Sequence, residues 1–104
     1  MGKFVKVARI QDVPSGQGTM VEVEGLQIGL FNSDGTFYAI DNVCTHAGGS
    51  LSVGLVENGR VACPWHGAWF DLKTGAALSP PASEGVRFYP TRVQGTDIEI
   101  ELED

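Results

Sequence analysis

Short runs of apolar and polar residues alternate along much of this chain. Alternation with a period of two predicts β-strands, and the runs that show it or are rich in β-branched and aromatic residues cover positions 4–10, 19–23, 26–31, 37–41, 55–57, 60–63, 68–72, 88–94 and 97–102. The last run places Ile98, Ile100 and Leu102 on one face of a strand. No segment shows the periodicity of a long amphipathic helix, so the pattern predicts strands alone.

Turn residues separate these runs. Asp34-Gly35 and Asn58-Gly59 are two-residue links typical of tight hairpins, in which both central positions take positive φ. The chain contains 14 glycines and 5 prolines, which suits a fold with many tight turns. The sequence therefore predicts an all-β fold, a small antiparallel sandwich or barrel.

Length and charge limit the possible functions. The 104 residues, 42% of them hydrophobic, suit one domain spanning positions 1–104, with no repeat or linker. No apolar run is long enough to span a membrane, and positions 1–14 do not read as a secretory signal, so we expect a cytoplasmic location. A formal net charge of -6 argues against nucleic acid as the main partner.

The rarest reactive residues are grouped. The two cysteines and two histidines all fall between positions 44 and 66, as Cys44-x-His46, sixteen intervening residues, and Cys63-x-x-His66. Each segment offers one thiolate and one imidazole, and each is followed by small residues. Glycine lets the backbone approach a buried inorganic group closely. These four residues are therefore the candidate metal ligands.

Two sulfur and two nitrogen ligands suit more than one group. A single zinc ion could bind them in tetrahedral geometry. A [2Fe–2S] cluster could bind both thiolates on one iron and both imidazoles on the other, which is the Rieske arrangement. A disulfide between Cys44 and Cys63 is a third possibility, but it leaves both histidines unexplained.

The segments CTHAGGSLSVG (44–54) and CPWHGAWFDLKTG (63–75) resemble the two cluster loops of Rieske iron–sulfur proteins. SPPA (79–82) is similar to the proline loop that covers the cluster in that family. The resemblance extends over nearly the whole chain and is to the soluble Rieske-type ferredoxins. It implies a small Rieske-like antiparallel fold with a cluster-binding subdomain made of loops at about 43–50 and 62–70, and a proline loop at about 79–82.

The resemblance also implies a role for each candidate ligand. Cys44 and Cys63 would bind the inner iron of one [2Fe–2S] cluster, and His46 and His66 the outer iron. In the family, the outer histidines reach the surface, where electrons leave.

Four positions depart from the high-potential relatives in cytochrome bc complexes. Those proteins have two further cysteines at the positions of Gly49 and Trp65, so their disulfide cannot form here. They also have hydroxyl donors at the positions of Ala68 and Phe70. Hydrogen bonds to the cluster raise its potential. The resemblance therefore implies a potential toward the low end of the Rieske span of roughly -150 to +300 mV.

Two aromatic features of the second loop remain open at this point. Trp65 either shields the cluster from water or packs beneath the loop as core, whereas Trp69 and Phe70 are expected in the core.

A separate question concerns the acidic residues Glu99, Glu101, Glu103 and Asp104 near the C-terminus. They form either a solvated strand face or a surface that steers the chain toward a basic partner.

The function that the resemblance implies is one-electron transfer, without catalysis by the chain itself. A monomeric carrier would take electrons from a flavin-dependent ferredoxin reductase and pass them to the terminal oxygenase of an aromatic-ring dioxygenase system. The chain shows no G-x-G-x-x-G fingerprint and no further histidine for a mononuclear iron site. Two alternatives stay open: a small Rieske subunit of a stable complex such as a nitrite reductase-like assembly, and a zinc-binding structural module.

Overall fold

The computed structural model describes residues 2–44, 49–65, 67–80 and 84–103. They confirm the predicted all-β fold. The strands are β1 (Gly2–Arg9), β2 (Gln17–Val23), β3 (Leu26–Ser33), β4 (Thr36–Asp41), β5 (Val56–Glu57), β6 (Arg60–Ala62), β7 (Trp69–Asp71), β8 (Phe88–Tyr89), β9 (Thr91–Gln94) and β10 (Asp97–Glu103). Single turns of 3₁₀ helix at Ile10–Asp12 and Leu51–Val53 were not predicted. None of the helical turns in these described ranges has the length or hydropathy of a membrane span.

Within the described ranges, the strands form three antiparallel sheets. The terminal sheet has the order β1-β10-β9, the central sheet β2-β3-β4-β8 and the small sheet β5-β6-β7. The two ends of the chain meet in the terminal sheet, where β1 pairs with β10 from Gly2 opposite Glu103 to Arg9 opposite Asp97. The predicted hairpin turns are present, and Asp34 and Asn58 both take positive φ there.

Strand β3 separates two cores. Every residue from Ile28 to Ser33 is buried, which explains why this run lacks a polar alternation. Ile28 and Leu30 belong to one core and Phe31 to the other. The neighbouring strand β4 divides in the same way, with Ala39 in the first core and Ile40 in the second. The central sheet is therefore covered on both faces.

We name the two cores by their contents. The cysteine core contains Phe31, Ile40, Cys44, Leu51, Val56, Val61, Cys63, Ala68, Phe70, Leu72 and Val86. The terminal core contains Val13, Ile28, Leu30, Ala39, Tyr89, Ile98, Ile100 and Leu102. The last three are the residues that the alternation of the final strand placed on one buried face, and this prediction is confirmed.

The ring of Phe31 determines where the central sheet can carry a side chain. A Cβ atom at Gly18 would lie 2.6 Å from Phe31 Cδ1, and one at Gly29 would lie 2.7 Å from Phe31 Cε2. Both distances are shorter than van der Waals contact allows. Glycine at these two positions thus leaves room for the ring of Phe31, one of the two phenylalanines of the cysteine core.

The prediction of one continuous strand at 88–94 is wrong. The structure divides it at Pro90 into β8, which pairs with β4, and β9, which pairs with β10. Proline has no backbone N–H to donate to a sheet, whereas its carbonyl still accepts a hydrogen bond from the Glu101 N–H at 2.8 Å. The chain therefore crosses from the central sheet to the terminal sheet at this residue.

The predicted acidic strand face is partly neutralised. Arg92 Nε lies 2.7 Å from Glu99 Oε1, and the Glu99 side chain is only 19% exposed. Lys6 pairs with the neighbouring Asp97 at 3.2 Å. Asp104 and the side chain of Glu103 lie outside the described residues. Glu99 is therefore an ion-paired residue of the terminal sheet rather than a freely solvated charge.

Tyr89 joins β8 to the end of β4. Its hydroxyl donates a 2.6 Å hydrogen bond to Asp41 Oδ1, and its side chain is almost fully buried. The Asp41 N–H in turn donates to the Arg87 carbonyl at 2.9 Å. Burial, together with the neighbouring Asp41 carboxylate, raises the pKa of Tyr89 well above its ordinary value.

Tyr89→Phe is expected to lower the free energy of unfolding by about 1 kcal/mol at neutral pH, the usual net contribution of one hydrogen bond. Because the pKa of Tyr89 is higher in the folded state than the unfolded value of about 10, the native protein loses stability as the pH rises above about 10. The variant has no phenol to ionise at this position. Its stability should therefore fall less steeply in urea unfolding at alkaline pH.

Tyr38→Phe is the control for this prediction. Tyr38 lies on β4, and its hydroxyl makes no hydrogen bond with the part of the chain that the structure describes. Its removal should leave the alkaline loss of stability as in the native protein. If the free energy of unfolding fell equally steeply with alkaline pH in native protein and in Tyr89→Phe, the assignment of this loss to Tyr89 would be contradicted.

Candidate metal centre

The first cysteine loop, residues 42–50, begins where β4 ends. Val43 forms an isolated antiparallel bridge with Ser50, and the Cys44 N–H donates a 2.9 Å hydrogen bond to the Gly49 carbonyl. The two arms of the loop are therefore tied together up to Cys44. The predicted ligand His46 lies outside the described residues.

The second cysteine loop, residues 63–68, begins directly after β6. The Cys63 N–H donates to the Ala68 carbonyl at 2.7 Å, and the Gly67 N–H donates back to the Cys63 carbonyl at 2.9 Å. Gly67 takes a φ of +73°, a conformation that a side chain would strain. The result is a tight turn with Trp65 at its tip, while the predicted ligand His66 lies outside the described residues.

Gly49 is the point where the two cysteine loops meet. A Cβ atom at this buried glycine would lie 3.2 Å from Cys63 Sγ and 3.2 Å from Trp65 Cγ. Cys44 and Cys63 are 2% and 1% exposed and belong to the same core. The structure therefore brings together the two predicted cysteine ligands. Neither of them forms a disulfide, so the disulfide that the sequence left open is absent.

The two positions expected to lack hydroxyl donors are buried beside the second loop. Ala68 and Phe70 are fully buried and belong to the same core as Cys63. An apolar side chain at each of them offers no hydrogen bond to a group held by that loop. The cysteine core is thus apolar at both positions.

Trp65 in the second loop and Trp69 on β7 are more exposed than core residues. Trp65 is 63% exposed, so the alternative that it packs beneath the loop as core is wrong. Trp69 was expected in the core but is half-buried, and the Arg60 guanidinium carbon lies 4.0 Å from the centre of its ring. Phe70, by contrast, is buried as expected.

The cysteine side of this site fits an iron–sulfur cluster. Two thiols lie in one apolar core at the roots of two adjoining loops, and thiolate is the ligand that zinc and iron–sulfur clusters prefer. A buried thiolate is unfavourable unless a cation compensates its charge. These contacts therefore suit a bound metal group, but by themselves they leave both zinc and a [2Fe–2S] cluster open.

Sequence reasoning missed the polar residues that close the first cysteine loop. Asn42 and Ser52 are buried, and Ser50 lies between them in a network of side-chain hydrogen bonds. The only signal in the sequence is an asparagine between a strand and a cysteine, which is equally typical of an ordinary turn.

Comparison with known proteins identifies the group. Residues 3–90 match the family model of the Rieske [2Fe-2S] domain. The chain is 34% identical over 100 residues to the ferredoxin component of the naphthalene 1,2-dioxygenase system of Pseudomonas aeruginosa, covering 96% of each protein. It is 44% identical over 94 residues to the 3-phenylpropionate/cinnamic acid dioxygenase ferredoxin subunit of Escherichia coli (strain K12), covering 89% of this chain and 88% of that protein.

Solved structures show the same fold. The ferredoxin of carbazole 1,9a-dioxygenase from Nocardioides aromaticivorans IC177 superimposes with a TM-score of 0.89 at 32% identity, covering 94% of this chain and 96% of that one. A chain from a complex of reduced oxygenase and oxidized ferredoxin in carbazole 1,9a-dioxygenase gives 0.88 at 26% identity, with coverages of 97% and 94%. A protein of Mycobacterium tuberculosis described as an NADH-dependent nitrite reductase small subunit gives 0.88 at 26% identity, with coverages of 100% and 98%.

The family match extends over most of the chain, and it includes both cysteine loops. It decides between the two metal groups that the geometry left open. The chain belongs to the Rieske [2Fe–2S] domain family, and its cofactor is a Rieske-type [2Fe–2S] cluster.

Proposed function

We propose that this chain is the ferredoxin of a multicomponent dioxygenase system, which relays single electrons from a flavin-dependent reductase to a terminal ring-hydroxylating oxygenase. The observation that carries the proposal is the match to a dioxygenase ferredoxin component over 96% of both proteins. The solved complex of an oxygenase with a similar ferredoxin supports the oxygenase as acceptor. The chain itself carries electrons and catalyses no reaction of the substrate.

The reductase follows from the chemistry of the donor. The proposed reductase would be supplied by NADH, which gives up two electrons as hydride, whereas a [2Fe–2S] cluster takes one electron at a time. A flavin accepts hydride and can release its electrons singly, so a flavoprotein is the donor that connects the two. We also propose that the ferredoxin acts in the cytoplasm as a monomer of one domain. We expect its contacts with redox partners to be small and short-lived.

Cys44 and Cys63 are the ligands that we assign to the inner iron, and His46 and His66 to the outer iron. The burial of both cysteines in one core supports the first pair. When bound, the cluster accepts and releases one electron. The two thiolates cancel the formal charge of the ferric core, so the oxidised site is neutral, and adding one electron to a neutral buried site is easier than adding it to an anionic one.

The surroundings of Cys63 support a low potential within the Rieske class. The side chains of Ala68 and Phe70 are apolar and fully buried. A hydroxyl at either position could donate to the more negative, reduced site and stabilise it. Without such donors the reduced ferredoxin gives its electron up more readily, which suits a carrier placed before an oxygenase.

One experiment separates the ferredoxin from the closest alternative. The native protein should purify from its source cells as a separate chain of 11.1 kDa, containing iron and acid-labile sulfide. When reduced, it should transfer electrons to the terminal oxygenase of its own system in anaerobic stopped-flow measurements. Constant co-purification with a large flavoprotein, and no transfer to an oxygenase, would overturn the proposal.

The alternative is a small subunit of a nitrite reductase-like assembly. It is favoured by the structural similarity to the protein described as a nitrite reductase small subunit. A stable complex in the purification experiment is the outcome that this alternative requires. A nitrite reductase-like subunit would use the same cluster as a dioxygenase ferredoxin and would differ only in its partner.

Replacing His46 or His66 by Cys is expected to lower the reduction potential by on the order of 100 mV, if the cluster assembles, because a thiolate adds a negative charge to the site. Redox titration followed by EPR spectroscopy measures the shift. Cys44→Ser and Cys63→Ser, which remove a thiolate each, should reduce the iron content. A potential that stays unchanged in both histidine variants would contradict the ligand assignment.

Ala68→Ser is expected to raise the reduction potential by about 40 mV, if its hydroxyl forms a hydrogen bond about 1 kcal/mol stronger in the reduced state. Ala39→Ser is the matched control, because Ala39 is equally buried but lies in the terminal core. The control should lose stability without a change in potential. Equal potentials for the two serine variants would refute the influence of this position.

A further inference from the structure

One buried side chain closes the neck of the first cysteine loop. Asn42 is 4% exposed and lies two residues before Cys44. Its Oδ1 accepts hydrogen bonds from the Ser52 N–H at 2.9 Å and from the Ser50 hydroxyl at 3.3 Å. Its Nδ2 donates to Ser50 Oγ at 2.9 Å. The side chain therefore binds the far end of the loop with both its donor and its acceptor.

The backbone of Asn42 holds the same neck to the central sheet. Its N–H donates to the Gln27 carbonyl at 3.0 Å, and its carbonyl accepts from the Leu51 N–H at 2.7 Å. The hydroxyls of Ser50 and Ser52 lie 3.0 Å apart and connect the two serines to each other. Asn42 is thus bonded to the sheet on one side and to the end of the loop on the other.

The hydrogen bonds of the two loop arms lead from Asn42 to Cys44. The Asn42–Leu51 bond comes first, the bridge between Val43 and Ser50 second, and the bond from the Cys44 N–H to Gly49 third. Gly49 in turn lies next to Cys63 of the second loop, since a Cβ atom at this position would be only 3.2 Å from Cys63 Sγ. The position of Cys44 relative to Cys63 therefore depends on a short ladder whose base is Asn42.

We propose that Asn42 is a positioning residue for the cluster, which holds Cys44 in its place beside Cys63 through the neck of the first loop. The proposal rests on the proposed function in one respect, the binding of the cluster by Cys44. An amide side chain suits this task because it carries a donor and an acceptor on one rigid plane. A buried network of this kind fixes geometry only while all its members are satisfied.

The residue before Asn42 strengthens the base of the ladder. Asp41 is the last residue of β4, and it is held by the Tyr89 hydroxyl and by the Arg87 carbonyl. The neck is therefore attached to a strand end that is itself bonded to β8. Asn42 can move only if the contacts of Asp41 with Tyr89 and Arg87 break, or if its own hydrogen bonds to the loop break.

Asn32 provides a matched control within the same chain. It is 7% exposed, its Nδ2 donates to the Val13 carbonyl at 2.8 Å, and its Oδ1 accepts from the Gly35 N–H at 2.8 Å. It is thus a second buried asparagine that binds backbone groups through donor and acceptor. Its partners belong to the β3–β4 turn and to the terminal core, and neither of them is in a cysteine loop.

The test compares the [2Fe–2S] proteins of Asn42→Ala and Asn32→Ala with native protein. Both variants should unfold at lower urea concentration. Only Asn42→Ala should lose its visible absorption faster in the presence of an iron chelator, by about tenfold, the factor for roughly 1.4 kcal/mol. Only this variant should give a broadened or split EPR signal after reduction, because Cys44 would occupy more than one position.

Asn42→Asp separates geometry from mere loss of stability. Aspartate keeps the acceptor for the Ser52 N–H, and its second oxygen can accept from the Ser50 hydroxyl. A carboxylate at this buried position should lower the free energy of unfolding, while the reduced protein should retain a single EPR species and a slow rate of cluster loss. If Asn42→Ala fails to fold, Ser50→Ala takes its place, since it removes the bonds of the Ser50 hydroxyl to Asn42 and Ser52.

The outcomes distinguish this proposal from the proposed function. Native protein without iron and acid-labile sulfide would overturn the function and this inference together. Native protein with an intact cluster, combined with an Asn42→Ala variant whose EPR signal and rate of cluster loss equal those of Asn32→Ala, would overturn the positioning role alone.

Discussion

The burial of two cysteine side chains in one small core is the constraint on which the rest of this structure depends. A thiolate in an apolar core has lost its hydration and needs a cation beside it. We therefore expect the bound metal group to stabilise the folded cysteine core as well as to provide the redox chemistry. Cys44 and Cys63 reach the core from two loops, which start after β4 of the central sheet and after β6 of the small sheet.

The central sheet makes this arrangement possible because it has a core on each face. The terminal core, built around Ile98 and Ile100, contains no cysteine and packs one side of β3 and β4 without help from the cluster. The other side of the same strands supplies Phe31 and Ile40 to the cysteine core. The loops thus extend from a support whose opposite face is already stabilised by apolar burial.

Features determined by local sequence could be predicted. Alternating residues and the two-residue turns gave most strand positions, and the rare cysteines marked the two loops. Features that depend on contacts between distant segments could not. Pro90 divides a run that looks continuous, because its two halves find different partner strands. Asn42 looks like a turn residue until Ser50 and Ser52 are brought to it. Both histidines were assigned by motif alone, and they lie outside the described residues.

The low reduction potential expected of this carrier is related to backbone N–H groups that the fold engages in hydrogen bonds within the two cysteine loops. The Cys44 N–H is bonded to the Gly49 carbonyl and the Cys63 N–H to the Ala68 carbonyl. Each loop thereby uses the amide of its own cysteine to maintain its shape. The side chains of Ala68 and Phe70 add no hydroxyl to replace them. Donors near sulfur favour the reduced state. Among the residues that the structure describes, the side chains of Ala68 and Phe70 offer none, so we expect the reduced site to give up its extra electron more readily, which suits a relay to an acceptor.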